Sequence, residues 1–127
     1  MNRLLIVMFG GGVGSGARYL LSGWVAERLG AGWPYGTLAV NLLGSLALGF
    51  IAELGARSAA MSLEVRLLLT TGFMGGFTTY STFNYETLKL LQDGRMGAAA
   101  LNVGLTLLGA LAGAVLGVWA ARALVAG

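Results

Sequence analysis

Fifteen residues, TTGFMGGFTTYSTFN (70–84), carry seven Ser, Thr or Asn side chains and three glycines, and no charge occurs between Arg66 and Glu86. An uncharged run of this kind is long enough to cross a bilayer, for which about 20 residues suffice. Hydroxyls, amides and backbone groups at that depth have no water to satisfy them, so their chemistry is coordination and hydrogen bonding to something that passes or resides there. Bond-breaking chemistry has little to work with. The chain has no His and no Cys, which removes imidazole and thiolate catalysis, disulfides and most zinc sites. With no carboxylate pair inside one span, an enzyme ranks last.

Other polar groups fall at helical spacing. Thr37, Asn41 and Ser45 follow one another at four-residue steps and share a helix face. Ser45 reads as a helix contact or a bond to its own backbone. Two readings stand for Asn41: an amide brought into hydrocarbon for a site, or a bond to a neighbouring helix. Asn102 and Thr106 form a second polar pair one turn apart, open to the same two readings. Arg18 lies far inside an apolar run, where a guanidinium costs about 2.5–3.5 kcal/mol on insertion scales unless it meets water or a partner. It reads as an anion-attracting group in a wet vestibule, ahead of the alternative that it snorkels to an interface near Trp24. Glu86, with Lys89 three residues on, reads as a solvated or paired interfacial carboxylate.

These groups need elements to hold them. At 57% hydrophobic and 10% charged residues, the 127-residue chain is one all-α transmembrane domain. Its four spans cover roughly residues 4–26, 35–52, 67–91 and 98–121. The first is expected to be retained rather than cleaved as a signal peptide, because no polar domain follows it. Gly75 and Gly76, with Thr78 and Thr79 behind them, predict that the third helix is broken near its middle, since glycine and β-branched residues weaken a helix interior. Broken backbone at membrane depth must be buried in protein or line a cavity, where its freed carbonyls can coordinate a cation.

Glycines recur at four-residue spacing, as Gly10 and Gly14, Gly12 and Gly16, and Gly109, Gly113 and Gly117. Each series reads as close helix packing. The run GGGVGSGAR lacks the G-x-G-x-x-G spacing and has no strand before it, so a dinucleotide loop is rejected. The net charge of +3 forms no basic face, which argues against nucleic acid as a partner. Four spans put both termini on one side, with Arg3, Arg57, Arg66 and Arg122 there and Arg28, Lys89 and Arg95 opposite. Lys and Arg bias sets orientation, so a chain this balanced is expected to insert both ways and to pair as an antiparallel, dual-topology homodimer.

GFMGGFTTYSTF (72–83), NLLG (41–44) and GARY (16–19) together resemble the Fluc, or CrcB, family of small bacterial fluoride channels, and the resemblance covers essentially the whole chain. It implies a dual-topology dimer in the bacterial inner membrane, two fluoride pores, passive export of cytoplasmic fluoride, and a structural sodium ion. The family's sodium ligands, backbone carbonyls at the break, fall on Gly75 and Thr78. Its aromatic pore residues fall on Tyr80 and Phe83, its pore asparagine on Asn41, and its polar track on Asn102 and Thr106. Thr37 and Arg18 correspond to the vestibule. Tyr80 departs from the phenylalanine frequent there, and Ala110 lacks a hydroxyl that some relatives carry.

The residues allow a physical account beside the resemblance. A dehydrated anion needs donors, which Asn41, Ser81, Thr82, Asn102 and Thr106 offer, and positive ring edges, which Tyr80 and Phe83 offer. Two rivals stand: a small dual-topology multidrug antiporter and a noncatalytic membrane assembly subunit. The antiporter needs an embedded acid, and the first span holds Arg18 instead.

Overall fold

The structure, a computed structural model, describes residues 2–126. Among them there are only helices and connections: α1 (Asn2–Leu29), α2 (Tyr35–Arg57), α3 (Leu63–Leu67), a π-helical segment (Leu68–Met74), α4 (Gly75–Phe77), α5 (Tyr80–Gln92) and α6 (Met96–Ala126). α1, α2 and α6 have 28, 23 and 31 residues and are long and apolar enough to cross a membrane. The expected third span is instead a relay of shorter pieces, from α3 to α5. The observed helices run past the expected 35–52 and 98–121 limits, because their ends carry residues the apolar pattern does not mark.

The break falls within its predicted stretch, at the threonines rather than the glycines. Gly75 is helical, with φ −62° and ψ −38°, and the chain leaves the helix only at Thr78 (φ −89°, ψ 158°) and Thr79 (φ −149°, ψ 120°). β-branched residues favour such extended angles, and here they decide the site of the break over the glycine pair. Thr79 then starts α5, its hydroxyl accepting from the Thr82 N–H at 3.3 Å as an N-cap.

The glycines explain themselves by approach instead. A Cβ on Gly10 would stand 2.7 Å from the Leu68 carbonyl oxygen, one on Gly14 would overlap the Phe73 carbonyl, and one on Gly76 would overlap the Gly11 carbonyl. α1 thus lies backbone to backbone along the π-helical segment and α4, both running the same way. α2 and α6 form a second same-direction pair, in which Gly49 meets Ala114 and Gly113 and Gly117 meet the carbonyls of Leu42 and Leu46. Gly109 receives the Leu42 side chain. The series at Gly12 and Gly16 was expected to pack like the others, yet a Cβ at either position meets nothing within 4 Å. One helix face can be buried against a neighbour only once.

Within the π-helical segment the Thr70 hydroxyl donates to the Arg66 carbonyl at 2.6 Å, the acceptor that a regular α-turn offers to the Thr70 N–H. At one end of the bundle Trp33 Nε1 donates to the Ala98 carbonyl at 3.0 Å, and the Arg95 guanidinium donates to the Gly32 carbonyl. The α1–α2 loop is thereby tied to the start of α6. At the other end Glu53 accepts from Arg57 and from Arg122.

Gly14→Val should force α1 off the π-helical segment and cost about 1–3 kcal/mol, as overpacking does, whereas Gly16→Ala should change stability by less than about 0.5 kcal/mol. Thermal unfolding of the two variants in one detergent checks the contrast, and equal losses would contradict it.

Candidate functional site

The break is held from α2. Asn41, only 8% exposed, donates from Nδ2 to the Thr79 carbonyl at 3.0 Å, while its Oδ1 accepts the Thr79 N–H at 2.8 Å. The side chain acts as a peptide group, satisfying both backbone polar groups of a residue that lies in no helix. One turn along the same face, Gly44 leaves the room the break needs, since a Cβ there would overlap Thr78 and stand 3.2 Å from the Phe77 ring. The NLLG stretch therefore supplies a bond at one position and a vacancy three residues later. Both readings of Asn41 meet here: its amide is a helix contact, and it also lines a cavity.

That cavity, of about 220 Å³ and open on one side, is bounded by Asn41 and Ser45 of α2, the Thr78–Thr79 break, Tyr80 and Phe83 of α5, and Thr106, Leu107 and Ala110 of α6. It gathers four of the residues read from the sequence as an anion path. Phe83 is buried at 4% exposure and Tyr80 stands out at 70%, with ring centroids 5.8 Å apart and planes tilted by 42°. Tilted rings present edges, where the positive part of the quadrupole lies.

The remaining donors sit elsewhere. Asn102 is buried behind the cavity, donating to the Thr87 hydroxyl at 2.9 Å and accepting from Thr106 at 3.5 Å. Thr87 in turn donates to the Phe83 carbonyl at 2.8 Å. This chain ties α6 to α5 and fixes the ring that Phe83 carries. Thr82 is drawn to the break by the Thr79 hydroxyl at 3.1 Å, and Ser81 is exposed on α5 outside the cavity. Thr79 was read from the sequence only as part of the break, and Thr87 was missed because nothing marks a lone Thr outside the polar insert as a bridge between two helices.

Arg18 and Thr37, both expected on the vestibule side, line no common cavity in the single chain. Thr37 lines a second cavity of about 280 Å³ with Glu86, Lys89, Asp93 and Arg95 among its walls. One Glu86 carboxylate oxygen is buried there without a hydrogen-bond partner, and among the described residues no ion pair joins it to Lys89. Arg18 points to the break instead, its Nε donating to the Gly76 carbonyl at 3.0 Å, with the Ser15 hydroxyl at 3.4 Å from the same oxygen. A guanidinium at the C-terminal end of a helix meets the negative end of its dipole. The carbonyls of Gly75 and Thr78, on either side, receive no hydrogen bond from any described residue. Among the described residues no cluster of His, Cys, Asp or Glu is placed to hold a metal, so backbone oxygen is the donor set on offer for a hard cation.

Asn41→Ala should release the break. Amide exchange at Thr79 should speed up sharply, and stability should fall by about 1–3 kcal/mol for each buried group left unpaired. Unchanged exchange at Thr79 would show that the break is held by other contacts.

Comparison with known proteins places these features in a family. Residues 5–118 match the model described as CrcB-like protein, Camphor Resistance (CrcB). A protein of Syntrophotalea carbinolica named fluoride-specific ion channel FluC is 50% identical over 124 residues, covering 98% of this chain and all of that one. One of the same name from Sorangium cellulosum is 48% identical over 127 residues, with both chains covered in full. Another, from Anaeromyxobacter dehalogenans, is 52% identical over 114 residues and 90% of each chain.

Proposed function

The chain belongs to the CrcB-like family, and from that premise we propose that it is a fluoride channel that lets the ion leave the cytoplasm passively. It is a multi-pass protein of the bacterial inner membrane. The observation that carries the reading is the open-sided cavity in which the Asn41 amide, the Thr106 hydroxyl and the rings of Tyr80 and Phe83 meet. An anion crossing hydrocarbon exchanges its water for such donors and ring edges. The relatives named as fluoride-specific channels cover nearly the whole chain, which favours this activity over an antiporter or an assembly subunit.

The working assembly is an antiparallel homodimer. Its support is the near balance of positive charge between the two sides, together with a cavity that one chain leaves open and Tyr80 that one chain leaves exposed. A structural sodium ion at the dimer interface is the second part of the proposal. The carbonyls of Gly75 and Thr78 fit it, being free of hydrogen bonds at the end of a broken helix, with Gly75 on an exposed face. When bound, the ion would offset converging carbonyl dipoles in a dry interface. Arg18 holds the Gly76 carbonyl that lies between the two.

Purified chain in liposomes should release fluoride on addition of an ionophore to balance charge, read with a fluoride electrode. Phe83→Ile keeps bulk but loses the ring edge and should lower efflux at least tenfold while the protein still elutes as the wild type does. Absence of any fluoride release from the folded wild-type chain would remove the channel reading.

For the ion, prolonged exchange of sodium for N-methylglucamine, verified by elemental analysis, should diminish both fluoride efflux and the yield of cross-linked dimer. If both persist at their original levels, the ion has no structural role, and if no dimer cross-links under either condition, the paired assembly is wrong.

A further inference from the structure

We propose that Ser45 is an anion-binding residue of the pathway, its hydroxyl donating directly to the passing fluoride; this rests on the channel reading above. The inference comes from counting which donors at the cavity are already spent. Thr78 donates to the Met74 carbonyl at 3.0 Å, Thr79 exchanges its hydroxyl bond with Thr82, and Thr106 leans on Asn102. Asn41 has committed its oxygen and one amide hydrogen to Thr79, which leaves one N–H. Ser45 lines the same cavity and makes no hydrogen bond with any described residue; the Tyr80 hydroxyl is unspent too, but on a side chain 70% exposed.

Among the serines and threonines that line the cavity, that freedom belongs to Ser45. Hydroxyls in apolar helices commonly return their proton to the carbonyl four residues back, and Thr70, Thr78 and Thr87 all do so here. Ser45 does not, and its oxygen is not among the buried unpartnered atoms, so it opens to the cavity. It stands one turn after Asn41 on the same face of α2, about 6 Å along the axis. The free amide hydrogen and the free hydroxyl therefore form a two-donor rung on one wall. Phe83 supplies a ring to the same cavity, and Ala110 contributes only a methyl group. A small, strongly hydrated anion leaving the Asn41 N–H meets the next free donor of the α2 wall at Ser45.

The test uses the full chain in liposomes with fluoride efflux as the readout. Ser45→Ala removes the hydroxyl at nearly constant volume and should slow efflux about tenfold, the loss expected for one hydrogen bond to a charged group, with elution and helical content unchanged. Adding Ala110→Ser in that background returns a hydroxyl to the same cavity from α6 and should restore most of the rate. If Ser45→Ala fails to fold, Ser45→Cys, with a weak donor of similar size, should fold and conduct more slowly than wild type. Wild-type efflux from a folded Ser45→Ala or Ser45→Cys overturns the proposal, as does a slowed Ser45→Ala that Ala110→Ser leaves slow, which would make Ser45 a packing residue. A wild-type chain that releases no fluoride overturns the channel reading instead, and this inference with it.

Discussion

The reciprocal pair between Asn41 and the backbone of Thr79 is the interaction on which the rest depends. A helix interrupted in an apolar interior frees carbonyls and N–H groups that hydrocarbon cannot satisfy. One side-chain amide, matched in shape to a peptide group, settles the two that lie at the break itself. Arg18 and Ser15 settle the Gly76 carbonyl beside it. With these bonds made, the chain can stop α4 and start α5 in a new direction, which brings Tyr80 and Phe83 against α2 and α6. The cavity is a consequence of a paired defect.

Packing makes that defect possible. Helices in lipid gain little from burying apolar side chains against one another, so close backbone approach has to hold them. The glycines of α1 let the π-helical segment and α4 lie directly on it, and those of α6 do the same for α2. Two same-direction pairs result, joined by the break and by the hydrogen-bonded series from Thr106 through Asn102 and Thr87 to Phe83. The rigid pairs position the irregular part.

Much of this was legible in the residues, for identifiable reasons. Apolar length gave three of the spans, and an uncharged polar insert gave the interruption in the other. Fourth-span glycine spacing marked a closely packed helix face, which α2 occupies. The break lies in the expected stretch, but spacing could not say that Thr78 and Thr79 turn while Gly75 and Gly76 stay helical, because glycine permits irregular backbone without requiring it. Nor could spacing say which of two interleaved glycine series on α1 faces a neighbour. The cavity drew in Asn41, Tyr80, Phe83 and Thr106 as expected, but Ser81 and Thr82 share their sequence neighbourhood without sharing their direction. Arg18 was read as an anion-attracting group, and nothing in the sequence signalled that its Nε would hold a carbonyl at the break, since spacing does not say which helix end lies beside a guanidinium.

The π-helical segment between Leu68 and Met74 carries a consequence of another kind, concerning chain length. An α-helix advances about 100° per residue, and a π-turn accommodates a residue that an α-turn of the same rise would not hold. Removing one residue there would permit an ordinary helix while rotating everything beyond it. Gly76 would leave the Gly11 carbonyl, the Gly75 and Thr78 carbonyls would swing away from their present face, and Thr79 would lose its register with Asn41. The segment is therefore a phase setting written as a residue count, and it should tolerate replacement of its side chains far better than the loss or gain of one of them.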